Sequence, residues 1–237
     1  MSTNKILYFK LKYLLMKKNI SNKSYINSEI PSIVLDRMAI YLRVLNQLQQ
    51  EMKKLTSSKE LSNYLPVEPG QIRKDLNYLG KFGINGKGYN VKNLKKTLQK
   101  QLGLEAKWNA VIIGGGRLGK SSVEFMKQKK SETFRIVAAF DPNKRLIGKK
   151  ISNLKIQNMK DLSRTVKSRN IKIGIIATEN NNSQIVAESL IENDLNYILN
   201  FSSFAPKVPD YVILKNIDPG LQVESMSYHL RQSSLSK

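Results

Sequence analysis

No cysteine occurs among the 237 residues, which excludes a disulfide framework, an iron–sulfur cluster and any thiolate zinc site. Histidine is nearly as scarce: His229 stands alone, so histidine-based metal binding and acid–base catalysis have little to draw on. No apolar run approaches the roughly 18 residues that a membrane-spanning helix needs. Acidic residues are also in short supply, 18 Asp plus Glu against 40 Lys plus Arg, a formal net charge of +22. Such an excess points to a polyanionic partner, either nucleic acid or an anionic membrane surface. A coding bias toward Lys and Asn is the alternative reading. The remaining composition, 41% hydrophobic and 24% charged, is that of a globular chain rather than a disordered or collagen-like one.

Length allows one large domain or two modest ones, and the residue pattern favours two with a segment at each end. Residues 1–29 form a basic arm, with Lys at 5, 10, 12, 17, 18 and 23. Lys10 and Lys12 interrupt the apolar core that a signal peptide requires, and a membrane-surface helix is the other reading of this arm. Residues 31–107 carry fourteen basic and six acidic side chains, and residues 108–237 carry twenty and eleven, so positive charge is denser toward the N-terminus. Expected boundaries are 30–106 for a first domain, 107–218 for a second and 219–237 for a terminal helix and tail.

The first domain reads as a winged helix-turn-helix. Pro31 suits a first helical turn, and Val34, Met38, Tyr41, Leu45, Leu48 and Met52 recur at helical spacing. Ser57-Ser58-Lys59-Glu60 is a capping box ahead of Leu61 and Leu65, in a helix expected to run two turns and end at Pro66. Pro69-Gly70 opens another helix, with Ile72, Leu76 and Leu79 as its apolar stripe and Arg73 and Lys74 on the exposed side. Two short helices after a longer one suggest helix-turn-helix. Asn85-Gly86 between apolar residues predicts a hairpin, and a hairpin at this place is a wing. Val91, Leu94, Leu98 and Leu102 mark one more helix, closed by Gly103. An arginine can read guanine bidentately in the major groove and a lysine can hold phosphate. For a lone Arg-Lys pair an ordinary solvated face would be the better reading; beside a capped helix and a wing, DNA contact is favoured.

From Trp108 strands alternate with helices, which implies a parallel, doubly wound sheet. Strands are expected at 110–113, 136–140, 171–177, 197–201 and 212–214, with helices near 119–130, 159–169 and 183–193. Gly114-Gly115-Gly116-Arg117-Leu118-Gly119 follows the first strand and opens a helix, with the spacing Gly-x-Gly-x-x-Gly. That pattern gives a tight turn, close backbone approach to a pyrophosphate and a helix N-terminus facing it. Asp141 ends the next strand, where a carboxylate accepts from an adenosine ribose, favouring NAD over NADP; Lys144 and Arg145 pull the other way. A sheet that merely kept its turn glycines is the alternative. His229 has no partner that would make it a catalyst, and no acid–base pair assembles near the glycine loop.

In this order the segments resemble the Rex family of redox-sensing transcriptional repressors. The resemblance covers about residues 30–232, and its most specific stretch runs from Ile72-Arg73-Lys74-Asp75-Leu76 through Gly86-Lys87-Gly88-Tyr89-Asn90-Val91. It implies a cytoplasmic homodimer that is not an enzyme, with no membrane association, an exchanged C-terminal helix and no metal. Such a protein binds a palindromic operator in double-stranded DNA when free or with NAD⁺ and releases it with NADH. The DNA-contacting residues so implied are Arg37, Arg43, Ser58, Gln71, Arg73, Lys74, Tyr78, Lys87 and Tyr89. Those implied for NAD(H) are Gly114, Gly115, Gly116, Arg117, Leu118, Gly119, Asp141, Thr178 and Asn200. Departures from the family pattern cluster around the nicotinamide: Arg117 for Asn, Phe125 for Tyr, the 178–184 loop, Ser202-Ser203 and Pro219. They lead us to expect weaker discrimination between NADH and NAD⁺. A DNA-binding protein with weak redox discrimination and a small NAD-dependent oxidoreductase stay open as alternatives.

Overall fold

The computed structural model describes residues 30–80, 88–128, 133–178 and 182–235. The chain divides into two compact units, Met1–Ala106 and Lys107–Lys237.

In the first unit helix α1 (Ser32–Gln50) begins behind Pro31, as the spacing of its apolar residues predicts. Val34, Met38, Tyr41, Leu45 and Leu48 are all buried along one face. Met52 departs from that stripe: it lies beyond the helix at φ 57° and is 87% exposed. A short strand β1 (Leu55–Thr56) leads to helix α2 (Ser58–Ser62), then α3 (Pro69–Asn77), strand β2 (Tyr89–Asn90) and α4 (Val91–Gln101). Ser57 Oγ caps α2 by accepting the Glu60 N–H at 3.1 Å. Glu60 does not complete a reciprocal box; its carboxylate takes hydrogen bonds from Lys53 and from Thr56 Oγ1 instead. Helix α2 also stops at Ser62, short of the two turns expected, because Pro66 disfavours a helical conformation at Leu65. Strand β1 pairs antiparallel with β2, Leu55 opposite Asn90 and Thr56 opposite Tyr89. Gly88 enters β2 at φ +82°, where any Cβ would collide with the Thr56 carbonyl. The expected hairpin at Asn85-Gly86 lies outside the described residues. Leu61, Ile72, Leu76, Val91, Leu94 and Leu98 join α1 in one apolar cluster, so all four helices share a core.

The second unit is a seven-stranded sheet in the order β5-β6-β4-β3-β7-β8-β9. Its strands are β3 (Trp108–Ile113), β4 (Phe134–Asp141), β5 (Lys150–Ile151), β6 (Leu154–Asn158), β7 (Ile171–Ile176), β8 (Tyr197–Asn200) and β9 (Ile213–Asn216). All neighbours run parallel except β5 against β6. Helices α5 (Arg117–Gln128), α6 (Leu162–Ser168, after a 3₁₀ turn at Met159–Asp161), α7 (Ser183–Glu192) and α8 (Pro219–Leu235) follow the strands. Alternate residues of β3 explain the layering. Val111 and Ile113 belong to one buried cluster with Leu190 of α7, while Ala110 and Ile112 belong to another with Val123 of α5. Both faces of a central parallel strand must be covered, and here helices cover both. Strands β5 and β6 were not expected from the sequence. Helix α8 is present as expected, and within the single chain its Leu221, Met226 and Leu230 are 59%, 60% and 71% exposed.

Candidate nucleic-acid interface and nucleotide pocket

Helix α3 turns Ile72, Asp75 and Leu76 into the core, and so presents Arg73, Lys74, Asn77 and Tyr78 to solvent. Pro69 at its first position and the exposed cations on its outer side make it the element suited to enter a groove. Arg73 is tethered: its Nη1 donates to Ser58 Oγ at 3.0 Å. Its charge also opposes the upward push of burial on the Tyr89 hydroxyl, which places it beside the half-buried Tyr89. Arg43 is exposed on α1, and Lys87 lies outside the described residues.

Three of the expected DNA contacts take other partners. Arg37 donates from Nε and Nη2 to the two oxygens of Asp75, at 2.6 and 2.7 Å. Gln71 Nε2 donates to the same carboxylate at 2.8 Å, and Tyr41 donates at 2.6 Å. Asp75 has no exposed surface, and a buried carboxylate must be paired and hydrogen-bonded. Burial alone would push its pKa up; the bonds from Arg37, Tyr41 and Gln71 outweigh that and hold it below its ordinary value. The same bond to Asp75 raises Arg37, while burial first and then Asp75 raise Tyr41. Arg37 and Gln71 are therefore drawn inward. Ser58, only 8% exposed, serves as the acceptor for Arg73.

In the second unit a cavity of about 570 Å³ opens at the carboxyl ends of β3, β4 and β7. Strand β3 sits between β4 and β7 there, the switch point at which doubly wound sheets take ligands. Gly114, Gly116, Arg117 and Leu118 line it from the glycine loop, Asp141, Pro142, Asn143 and Leu146 from the end of β4 and just beyond, Ala177 and Thr178 from the end of β7, and Asn182 from the start of α7. Gly114 has φ +120°, and a Cβ there would meet the Ala177 carbonyl. At Gly116 a Cβ would meet nothing within 4 Å, so the backbone is open to a ligand. Helix α5 starts at Arg117 without an acidic residue in its first turn. Its free N–H groups and dipole thus favour an anion. Asp141 accepts the Gly115 N–H at 2.5 Å and the Asn143 N–H at 2.7 Å, one on each oxygen, so each retains a further acceptor site. Thr178 Oγ1 is buried and has no hydrogen-bond partner among the described residues. A buried hydroxyl of this kind is costly unless a ligand or water completes it. The residues thus suit an adenine dinucleotide: an anion cradle, a ribose acceptor and one polar group in need of a partner.

Asn200 is placed differently from its expected role. It is fully buried and absent from the cavity lining; its amide donates to the Ser202 and Phe204 carbonyls and to Asn216 Oδ1. Gln184 likewise grips the Lys207 backbone at both N–H and C=O.

Residues 29–77 match the family described as "Putative DNA-binding protein N-terminus", and residues 105–204 match the "CoA binding domain" family. Over 202 residues the chain is 37% identical to the redox-sensing transcriptional repressor Rex of Desulforamulus reducens, covering 85% of this chain and 96% of that one. The chain belongs to the Rex family. Rex of Syntrophobacter fumaroxidans is 35% identical over 207 residues, 86% of this chain and 97% of its own. The structure is similar to that of RSP, a Rex-family repressor, in complex with β-NAD⁺ and operator DNA. The TM-score is 0.80 at 35% identity, over 88% of this chain and 96% of that one. RSP in complex with β-NADH matches with a TM-score of 0.74 at 34% identity, over 90% and 98%.

Within this Rex fold, sequence reasoning passed over Asp75 and Tyr41 as partners of Arg37. A signal existed: Asp75 shares the inward phase of Ile72, Leu76 and Leu79, and Arg37 and Tyr41 sit one turn apart on α1. It also passed over Pro142, Asn143, Leu146 and Ala177, neighbours of residues it did single out.

Proposed function

We propose that this Rex-family chain is a homodimeric transcriptional repressor that binds a palindromic operator when free or with NAD⁺ and leaves it when NADH binds. One observation carries the reading: a glycine-loop pocket with a ribose-accepting carboxylate shares a chain with a cation-bearing helix-turn-helix, as in RSP, whose structures hold β-NAD⁺ with operator DNA and β-NADH. In this reading Arg73 reads a base edge, with Lys74, Tyr78, Tyr89, Arg43 and Lys87 contacting phosphate and sugar. Gly114 to Gly119 and the start of α5 hold the pyrophosphate, Asp141 accepts from the adenosine ribose, and Thr178 supplies a hydroxyl. Asn200 acts indirectly, by holding the 202–204 loop in place.

The redox change belongs to the nicotinamide, whose charge and planarity alter on reduction. The chain has only to bind the two forms unequally, since a ligand shifts an equilibrium by its differential affinity alone. A repressor of this kind works by binding alone and needs no hydride turnover; His229 lies exposed on α8, and among the described residues the pocket lining brings no acid–base pair together. The reading requires a compartment holding both DNA and a nicotinamide pool, which is the cytoplasm; no helix among the described residues is long and apolar enough to cross a membrane.

A labelled palindromic duplex, followed by anisotropy during titration with each cofactor, tests the proposal. NADH is expected to release DNA at lower concentration than NAD⁺. Arg117 adds a cation for the pyrophosphate of both forms alike, and Phe125 offers no hydroxyl, so the separation is expected to stay below about a thousandfold, ~4 kcal/mol. Equal effects of the two cofactors would remove the redox-sensing half of the proposal.

A further inference from the structure

We infer that Asp75 is a positioning residue: through Arg37 and Tyr41 of α1 it fixes the rotation and depth of α3, and so sets operator selectivity rather than general affinity for DNA. This rests on the reading of α3 as the recognition helix. The carboxylate receives four hydrogen bonds, two from Arg37 and one each from Tyr41 and Gln71, which matches the acceptor capacity of its two oxygens. Arg37 and Tyr41 are one turn apart on α1, and Gln71 and Asp75 are one turn apart on α3. One turn of each helix is thereby joined through a single group.

The physical role differs from that of the apolar residues around it. Ile72 and Leu76 bury α3 against the core, but apolar contact is non-directional and tolerates small rotations and slides of a helix. A bidentate guanidinium–carboxylate pair does not, because two parallel N–H···O bonds fix both distance and angle. Arg73 and Lys74 immediately precede Asp75 in the helix. Any rotation of α3 about its axis swings them through an arc and at the same time draws Asp75 out of line with Arg37 and Tyr41. Base-edge hydrogen bonds fail with small displacements, whereas attraction to phosphate falls off gently with distance. A loosened α3 therefore loses discrimination among sequences first.

A buried pair of this kind is weak evidence of a stabilising role. Replacing a buried ion pair with apolar groups of similar size is often neutral, whereas removing one partner strands the other. This separates a positioning role from a structural one. The triple variant Arg37→Met, Tyr41→Phe, Asp75→Leu removes the cluster without leaving an unpaired charge. Its thermal transition is expected to stay close to that of the native chain. Its operator-to-random-duplex affinity ratio is expected to fall about tenfold or more, with random-duplex affinity and its salt dependence little changed. Tyr41→Phe alone deletes one of the four bonds and gives a second, conservative reading, with a smaller loss in the same ratio.

An unchanged ratio in every folded variant of the two overturns the inference. So does a uniform loss across sequences with a salt slope reduced by about one, which would make Arg37 a plain phosphate contact. The native chain's own ratio separates this from the underlying reading. Absence of any preference for palindromic duplexes in the native chain would remove the recognition-helix assignment, and the positioning role with it.

Discussion

Arg73 can act on DNA with little reorganisation, because it is exposed and Ser58 Oγ already holds one end of its guanidinium. A preset fork loses less entropy on meeting a guanine edge than a free one. Arg73→Ala is accordingly expected to erase the preference for a palindromic operator, a loss of roughly 1–3 kcal/mol for each half-site, while leaving random-duplex binding largely in place. Lys87→Ala should do the opposite, weakening all duplexes alike and lowering the salt slope by about one. Competition of operator and scrambled duplexes against both variants checks the pair; full selectivity in Arg73→Ala would sink the assignment of α3. At the other site, Asp141 carries both an acceptor and a negative charge to the rim of the glycine loop. Asp141→Ala should weaken NAD(H) and narrow the margin over NADP(H), whose 2′-phosphate the carboxylate repels. Calorimetric titration with both reduced cofactors measures this. Tighter binding of NADPH than NADH by the native chain would pass the role to Lys144 and Arg145, both exposed beside the pocket.

At the scale of elements, legibility followed length and locality. Helix α1, helix α4 and the buried strands β3, β4 and β7 run six residues or more, long enough for a period to declare itself. Strands β1 and β5 are two residues each and owe their existence to the partner they pair with, so no window along the chain reveals them. Strand β6 holds only Leu154 and Ile156 as apolar markers, and its place beside β4 is a tertiary fact. Glu60 had the right spacing for a capping box, but Lys53 and Thr56 compete for its carboxylate, and a charged donor forms the stronger bond. The same limit governs the candidate interface. Arg37 and Asp75 are 38 residues apart, and nothing local distinguishes an arginine bound for phosphate from one bound for a buried carboxylate. The glycine loop was legible for the reverse reason. Its function depends on backbone shape, and at Gly114 only a residue without a side chain clears the Ala177 carbonyl.

For the whole molecule, α8 is the element that a single chain leaves unexplained. Seventeen residues long, it carries Leu221, Val223, Met226, Tyr228 and Leu230, each more than half exposed, and only Glu224 and Arg231 are charged. These apolar residues are spread around the helix rather than gathered on one stripe. A helix apolar on several sides is one that is covered on several sides. Full burial of each such side chain contributes about 1.5–3 kcal/mol, so five of them supply a strong driving force for association. Left bare, the same surface would favour aggregation. We propose that a second copy of the chain, exchanging its own α8 in return, covers both helices by the same contacts, which would also match the two-fold symmetry of a palindromic operator. A chain ending after Asp218 retains every strand of the sheet and all three helices packed on it, so the unit should still fold. It is expected to sediment as a monomer or to come out of solution, where the native chain is expected to sediment as a dimer. Its affinity for a full palindrome should drop to that for a half-site, because the second half-site is no longer bound at high effective concentration. Sedimentation velocity and half-site competition read these two outcomes separately. A well-folded dimer from the shortened chain would refute the role of α8 and move the dimer contact to another face of the molecule.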